Sequence, residues 1–569
     1  MINYKVNFKI FCMKNKMIKP IFFLGLLCIV FALSCKKKID DAYLNPNAPL
    51  VVPIESILPG VIGGFTAFFS SNGTGFGVQA DAILLGRYIQ YWGTQTNGEL
   101  YGQMGFPGSP PTASDNTGGL WGAVYYGHGG NVNRIIQWGA EQQKWDYVGV
   151  GWAIRAWGWL ELTNCYGEAI LKEAFDVTKS QFKYDTQPEF YDSCRVICHR
   201  SLSFLNRTDG AASQANLAIG DAFFYNGDVN KWKKFVYGIL ARSFINLSGK
   251  SEFIAKGYAD SAILYANLSL ATNADNASVK VSGGSVSATN NFFGPFRGNI
   301  GAIRQSVYIA DLMSGANPQA FTGVPDPRRY YMLRENLNGT FKGFTPWLGA
   351  TGVSANDYPK NFFGHPTPTT TLACPNSPAC TIDSSRYLYQ NTSPWPMMTA
   401  SEIQFIIAEA AYLKGDKPLA LSAYANGIGL NFDMITTTYP QNVPTVFAIT
   451  PANKATYLAG VIPGVAGNLT LSQIMLQKYI ALYGWGVQQT WTDMRKYHYT
   501  DIDPATGNQV YANFAPPAGT NLISTNNGNL VYRARPRYNS EYLYNIPELT
   551  RLGALNLDYN TYRPWFAIP

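Results

Sequence analysis

Histidine is scarce: 569 residues hold only four, His128, His199, His365 and His498. None stands in the H-E-x-x-H spacing that sets two imidazoles on one helix face around zinc. No G-x-S-x-G elbow is present to raise a nucleophilic serine. Gly73-Thr74-Gly75-Phe76-Gly77 is glycine-rich, but it lacks the lysine and the preceding strand of a phosphate-cradling loop. The short acidic stretch at Asp275-Asn276 is not part of a D-x-[DN]-x-[DN]-G calcium loop. Glycoside hydrolysis needs two carboxylates at a set separation, and nothing in the sequence pairs two. These absences point to a binding protein rather than an enzyme, with no cofactor and no metal.

Charge is scarce too. Charged residues make up 14% of the chain, against about a quarter in an ordinary soluble domain. Five of the 44 basic residues (Lys5, Lys9, Lys14, Lys16 and Lys19) precede Cys35, and no acid does, so the formal charge falls from +8 to +3 beyond that point. A body so near neutral argues against nucleic acid as a partner.

Cysteines are few and scattered. Cys194-Arg-Val-Ile-Cys198-His199 has one residue too many for a c-type haem attachment. Cys165, Cys194 and Cys198 are expected to be buried thiols, or one of the latter two bonded to Cys165. Cys374 and Cys380 bracket a polar, proline-containing loop and are a candidate disulfide, as suits an exported chain.

Long apolar runs are limited to one, Ile21–Leu33. It falls short of the roughly 20 residues a membrane-spanning helix needs. A lysine-rich start, a short apolar core and a small residue after it make a secretory signal. Ala32-Leu33-Ser34-Cys35 resembles a bacterial lipobox, which predicts cleavage before Cys35 and its lipidation. Two or three acyl chains would then hold the protein firmly to a membrane. Residues 1–34 are therefore read as a lipoprotein signal peptide, 35–60 as a lipidated tether, and 61–569 as one domain.

What the sequence has in plenty is aromatic residues: 36 Tyr, 13 Trp and 32 Phe. Tyr and Trp join apolar area to a polar tip and suit both large cores and sugar or peptide contact. Helical periodicity dominates two blocks, about 77–271 and 399–497. In the first, helices are predicted over 79–93, 120–142, 147–165, 187–205, 229–247 and 254–271. The helix at 147–165 is apolar nearly all round, so it should be buried. Residues 272–398 lose the helical period and read as long loops with short strands. In the second block, Thr399 with Glu402 and Thr470 with Gln473 match capping boxes. Gly415-Asp416 separates two helices, the second running to about residue 426. Two helices with a tight turn, within about 34 residues, have the size of a tetratricopeptide unit. A shorter helix is predicted over 490–496, after the one that starts at Thr470. Arg328-Arg329 is expected to anchor loop carbonyls.

Several separated segments resemble the SusD/RagB family, in its SusD-like branch of outer-membrane lipoproteins. They include Tyr43-Leu44-Asn45-Pro46-Asn47-Ala48-Pro49, Ala153-Ile154-Arg155-Ala156-Trp157 and Leu162-Thr163-Asn164-Cys165-Tyr166-Gly167. Gly227-Asp228-Val229-Asn230-Lys231-Trp232, Met398-Thr399-Ala400-Ser401-Glu402-Ile403, Gln477-Lys478-Tyr479-Ile480 and Pro536-Arg537-Tyr538-Asn539-Ser540-Glu541-Tyr542 follow in order. The resemblance implies a mainly α fold: a superhelix of four tetratricopeptide-like helix pairs, with long loops and a few short strands on one side. It implies the outer face of the outer membrane. It also implies a SusC-like TonB-dependent barrel as partner, over which the protein acts as a lid on a captured nutrient oligomer.

Capture needs aromatic platforms flanked by hydrogen-bonding side chains. Trp92, Asn97 and Tyr101 form one such set, and the resemblance favours an aromatic and an Asn at that place. Trp92 equally fits the core-facing end of an amphipathic helix. Phe293, Phe296, Arg297, Trp347, Tyr358 and Phe362 form a second set in the middle loops, where packing of the loops themselves is the competing reading. The ligand could be a glycan or a peptide. Two other roles stay open: a SusD-like structural subunit of an outer-membrane assembly or secretion complex, and, more remotely, a hydrolase.

Overall fold

The computed structural model describes residues 52–66, 78–96, 102, 104–105, 117–364 and 384–569. The signal segment, Cys35, Asn97, Tyr101, Cys374 and Cys380 lie outside them. Residues 54–60, read as the end of the tether, are already helical: α1, Ile54–Gly63, carries Pro59 inside it and buries Ile54, Ile57, Leu58, Val61 and Ile62. This i, i+3, i+4 stripe drives the segment onto the body, and compact packing begins at Ile54.

The framework consists of helices whose ends are written in the sequence. α2 spans Val78–Tyr88, α3 Gly129–Glu141, α4 Trp145–Tyr166 and α5 Gln187–Leu205. α6 covers Val229–Ile245 and α7 Tyr258–Leu268. α8 covers Ala400–Lys414, α9 Lys417–Thr438, α10 Leu471–Ala481 and α11 Val487–Lys496. α5 starts on a capping box in which Thr186 and Glu189 satisfy each other's backbone N–H, and α6 starts on Asp228, whose carboxylate accepts from the Asn230 and Lys231 N–H groups. Neighbouring helices pack in sequence, α3 on α4, α4 on α5, α6 on α7 and α8 on α9. This is the mainly α, helix-pair architecture expected.

α4 is the central element and is buried on nearly every side, including Trp157 and Trp159. Gly149 lets it approach α5: a Cβ there would meet the Leu205 side chain at 2.6 Å. Cys165 at its end, and Cys194 and Cys198 on α5, are free buried thiols. The Cys194 thiol donates to the Ala156 carbonyl at 3.4 Å, across the α4–α5 seam.

Three helix expectations are corrected. The helix predicted over 79–93 stops at Tyr88: Gln90 has φ 61°, and the chain leaves as a strand. α9 runs to Thr438 rather than to about residue 426, because Ile428, Phe432 and Ile435 continue its buried stripe past Gly427. α11 starts at Val487, earlier than predicted, and packs chiefly on α2 and α4 rather than pairing with α10.

Buried charges tie the two helical blocks together. On α6, Arg242 donates through Nε at 2.6 Å and Nη2 at 2.7 Å to the Glu402 carboxylate of α8, and through Nη1 at 3.1 Å to Glu161 of α4. The Thr399 hydroxyl caps α8 as expected, but the Glu402 carboxylate turns to Arg242. Beside it, Lys496 meets Glu409 at 2.6 Å and Asp493 at 3.0 Å, and Lys478 meets Asp493 at 2.8 Å.

The middle region is loop-rich with short strands. Among the described residues, β1 (Trp92–Thr94) pairs antiparallel with β3 (Ile303–Gln305), and β2 (Ala277–Val279) pairs antiparallel with β4 (Trp395–Met398). Arg328 fixes these loops to the helices. Fully buried, it donates to Asp326 at 2.6 Å, to Asn431 of α9 at 2.7 Å and to Gln477 of α10 at 2.9 Å. These are side-chain acceptors rather than the loop carbonyls expected. Arg329 does take a loop carbonyl, that of Asp326, at 2.7 Å.

Candidate functional site

Reversal of the chain at Gln90 turns β1 beneath the middle loops, with Trp92 opposite Gln305. This register sends the Trp92 ring inward. Trp92 is 1% exposed, and its Nε1 donates to the Tyr389 hydroxyl at 3.3 Å. Its edge meets Phe293 with centroids 5.5 Å apart, and Phe293 in turn meets Trp395 at 5.0 Å. Tyr389 stacks on Phe362 at 3.9 Å. Trp92, Phe293, Phe296 and Phe362 are all buried. Trp92 and Phe293 therefore form an internal aromatic wall and present no ring face to a ligand, which corrects their reading as ligand platforms. Edge-to-face geometry is what ring quadrupoles favour, so one aromatic-rich composition serves a core as readily as a binding face.

Trp347 and Tyr358 are placed differently. Both are partly exposed. Pairing of Thr345 with Gly349 closes a short turn with Trp347 at its middle. The turn is fastened to the sheet: Phe344 N–H donates to the Gln305 carbonyl at 3.1 Å, and Ala350 N–H to the Gln95 carbonyl at 2.8 Å. Gly93 lies so close to this turn that a Cβ there would sit 2.7 Å from the Phe344 carbonyl oxygen. Tyr358 meets the Phe344 ring edge-on at 5.2 Å, and Leu348 beside Trp347 is exposed. The fold thus brings Trp347 and Tyr358 to the end of β1. They are two amphipathic rings on backbone-anchored loops, an arrangement that can stack on the C–H faces of a sugar.

Arg297 is not part of this face. Its guanidinium lies over the Phe292 ring at 4.9 Å, and burial pushes its pKa down. It lines a separate cavity of about 400 Å³ together with Trp395, Phe292 and residues of α1. Reading the sequence alone missed this cavity, because its walls come from stretches as distant as Pro59 and Trp395.

The family model for SusD-like proteins, described as "starch-binding associating with outer membrane", matches residues 80–518. The chain belongs to the SusD-like family. Solved SusD-like structures share its fold. A SusD/RagB family protein from Bacteroides thetaiotaomicron is 20% identical, with TM-score 0.65, covering 91% of this chain and 99% of its own. A SusD homolog from Bacteroides uniformis is 18% identical, with TM-score 0.62 and coverage of 91% and 99%. A chitin-binding SusD homolog from Flavobacterium johnsoniae is 15% identical, with TM-score 0.60 and coverage of 90% and 98%. Among curated proteins nothing matches the chain. Among the described residues of this SusD-like protein, no helix is long and apolar enough to cross a membrane.

Proposed function

We propose that this SusD-like protein is a lipid-anchored outer-membrane lipoprotein that captures a glycan oligomer and closes it, as a lid, into a SusC-like TonB-dependent barrel. The observation that carries the reading is the pair of half-buried rings, Trp347 on a turn that hydrogen-bonds to the β1–β3 ladder and Tyr358 beside Pro359, whose carbonyl accepts from Arg304 of β3. Rings fixed by backbone bonds lose little freedom on binding, so their contact area converts to affinity at low entropic cost. The family description favours a glycan over a peptide, as does the chitin-binding relative. A near-neutral body suits an uncharged chain of sugars. Cys35 supplies the anchor, and the stretch before Ile54 the leash on which the lid moves.

Calorimetric titration with maltohexaose and chitohexaose tests the reading. One of them binds, and Trp347→Ala with Tyr358→Ala weakens it roughly 5- to 160-fold, as loss of two ring contacts worth about 1–3 kcal/mol together predicts. Unchanged affinity in the double variant removes this face from the proposal. Mild detergent extraction of the tagged protein recovers a TonB-dependent barrel with it.

A further inference from the structure

The cavity beside Arg297 differs in chemistry from the Trp347–Tyr358 face. Its apolar wall is built by Pro59 and Ile62 of α1, Val279 of β2, Trp395 of β4, and Phe223 and Phe292. Phe223 is 44% exposed and stands at the mouth. The volume, about 400 Å³, falls among ordinary small-molecule sites, roughly 300–1,000 Å³.

Its polar groups are mostly committed elsewhere. The Thr289 hydroxyl donates to the Gly283 carbonyl at 2.8 Å, and the Asn290 amide to the Gly284 and Val286 carbonyls at 2.9 and 2.8 Å. Asn291 donates to the Ser393 carbonyl at 2.8 Å and accepts from Gln79 at 3.2 Å. These bonds shape the 283–291 loop, so these amide and hydroxyl donors are already engaged and do not form the ring of free groups a sugar requires. One buried donor lacks a partner: Trp395 is 1% exposed and its Nε1 makes no hydrogen bond. A buried indole N–H without an acceptor is costly, and a ligand acceptor would relieve that cost. The charged residues in the lining are Lys280 and Arg297, with no acid among them.

We infer that this cavity is a second binding site, for a small amphipathic carboxylate: an acyl or aryl body against the apolar wall, with its anionic head toward Trp395 Nε1, Arg297 and Lys280. An apolar wall alone would take any greasy molecule. The indole donor and the single sign of charge select a carboxylate over an alcohol of the same body.

The full chain, kept unlipidated by Cys35→Ser, is titrated with anilinonaphthalene sulfonate, an aromatic anion that fluoresces in apolar sites. One saturable site is expected, displaced by decanoate at least tenfold better than by decanol. Arg297→Gln weakens decanoate about tenfold and leaves decanol unchanged. Val281→Trp, which fills the cavity, abolishes the dye signal, and its unchanged circular dichroism shows that the fold persists. Equal competition by decanoate and decanol overturns the inference, as does displacement of the dye by maltohexaose or persistence of the signal in Val281→Trp. Trp347→Ala leaves the dye site untouched, so this site and the glycan face fail separately.

Discussion

At the scale of single residues, the structure separates aromatic side chains that pack from those that remain available. Trp92 combines near-total burial, a hydrogen bond to Tyr389 and an edge contact to Phe293. Trp92→Ala is therefore expected to lower unfolding stability by about 3–5 kcal/mol, the usual cost of emptying a large aromatic site. Urea denaturation measures it. His498 gives a residue-scale pH dependence. Its Nδ1 lies 2.8 Å from Asp501, and its Nε2 lies 2.9 Å from the Ala567 carbonyl. The bond to Asp501, joined by that to Ala567, raises its pKa above 6.5 despite partial burial. A raised histidine contributes stability that is complete below the unfolded value and is lost as pH rises through the folded value. Docking of residues 564–569 should thus weaken from about pH 6.5 upward. Hydrogen exchange of that tail at pH 6 and pH 8 reads the change, and His498→Gln should flatten it.

At the scale of elements, the Arg242 bridge between α4, α6 and α8 sets the main expectation. Arg242→Met leaves Glu161 and Glu402 buried without their cation, and burial already pushes the Glu161 carboxyl up. Breaking such a group from one side costs about 3–5 kcal/mol. Adding Glu161→Gln and Glu402→Gln to Arg242→Met should recover at least half of the loss, because no uncompensated charge then stays inside. Chemical denaturation of the single and triple variants tests this, and a triple variant no more stable than the single one contradicts it. Capping signals located the starts of α8 and α10 well, since a cap is a local bond between near neighbours. The end of α9 is not legible in the sequence, because Gly427 resembles a stop there, whereas in the fold Phe405 packs against it.

At the scale of the whole molecule, the proposed anchor at Cys35 should be separable from the body. Cys35→Ser is expected to move the protein from the membrane pellet to the soluble fraction while leaving glycan affinity intact; fractionation with parallel calorimetry checks both.

The sequence by itself determined the helical framework, the two blocks with loops between them, and the family. These rest on periodicity, caps and short ordered segments, all of which act over a few residues. It also determined the near-neutral charge of the body. Only the tertiary structure decided which aromatics are buried and which stay accessible. Trp92 and Trp347 are chemically alike, and burial of one and partial exposure of the other depend on the β1–β3 register and on a turn fastened to Gln95. The cavity beside Trp395 was likewise invisible in sequence, because its cations, its donor and its apolar wall meet only when strands and loops far apart in the chain pack together.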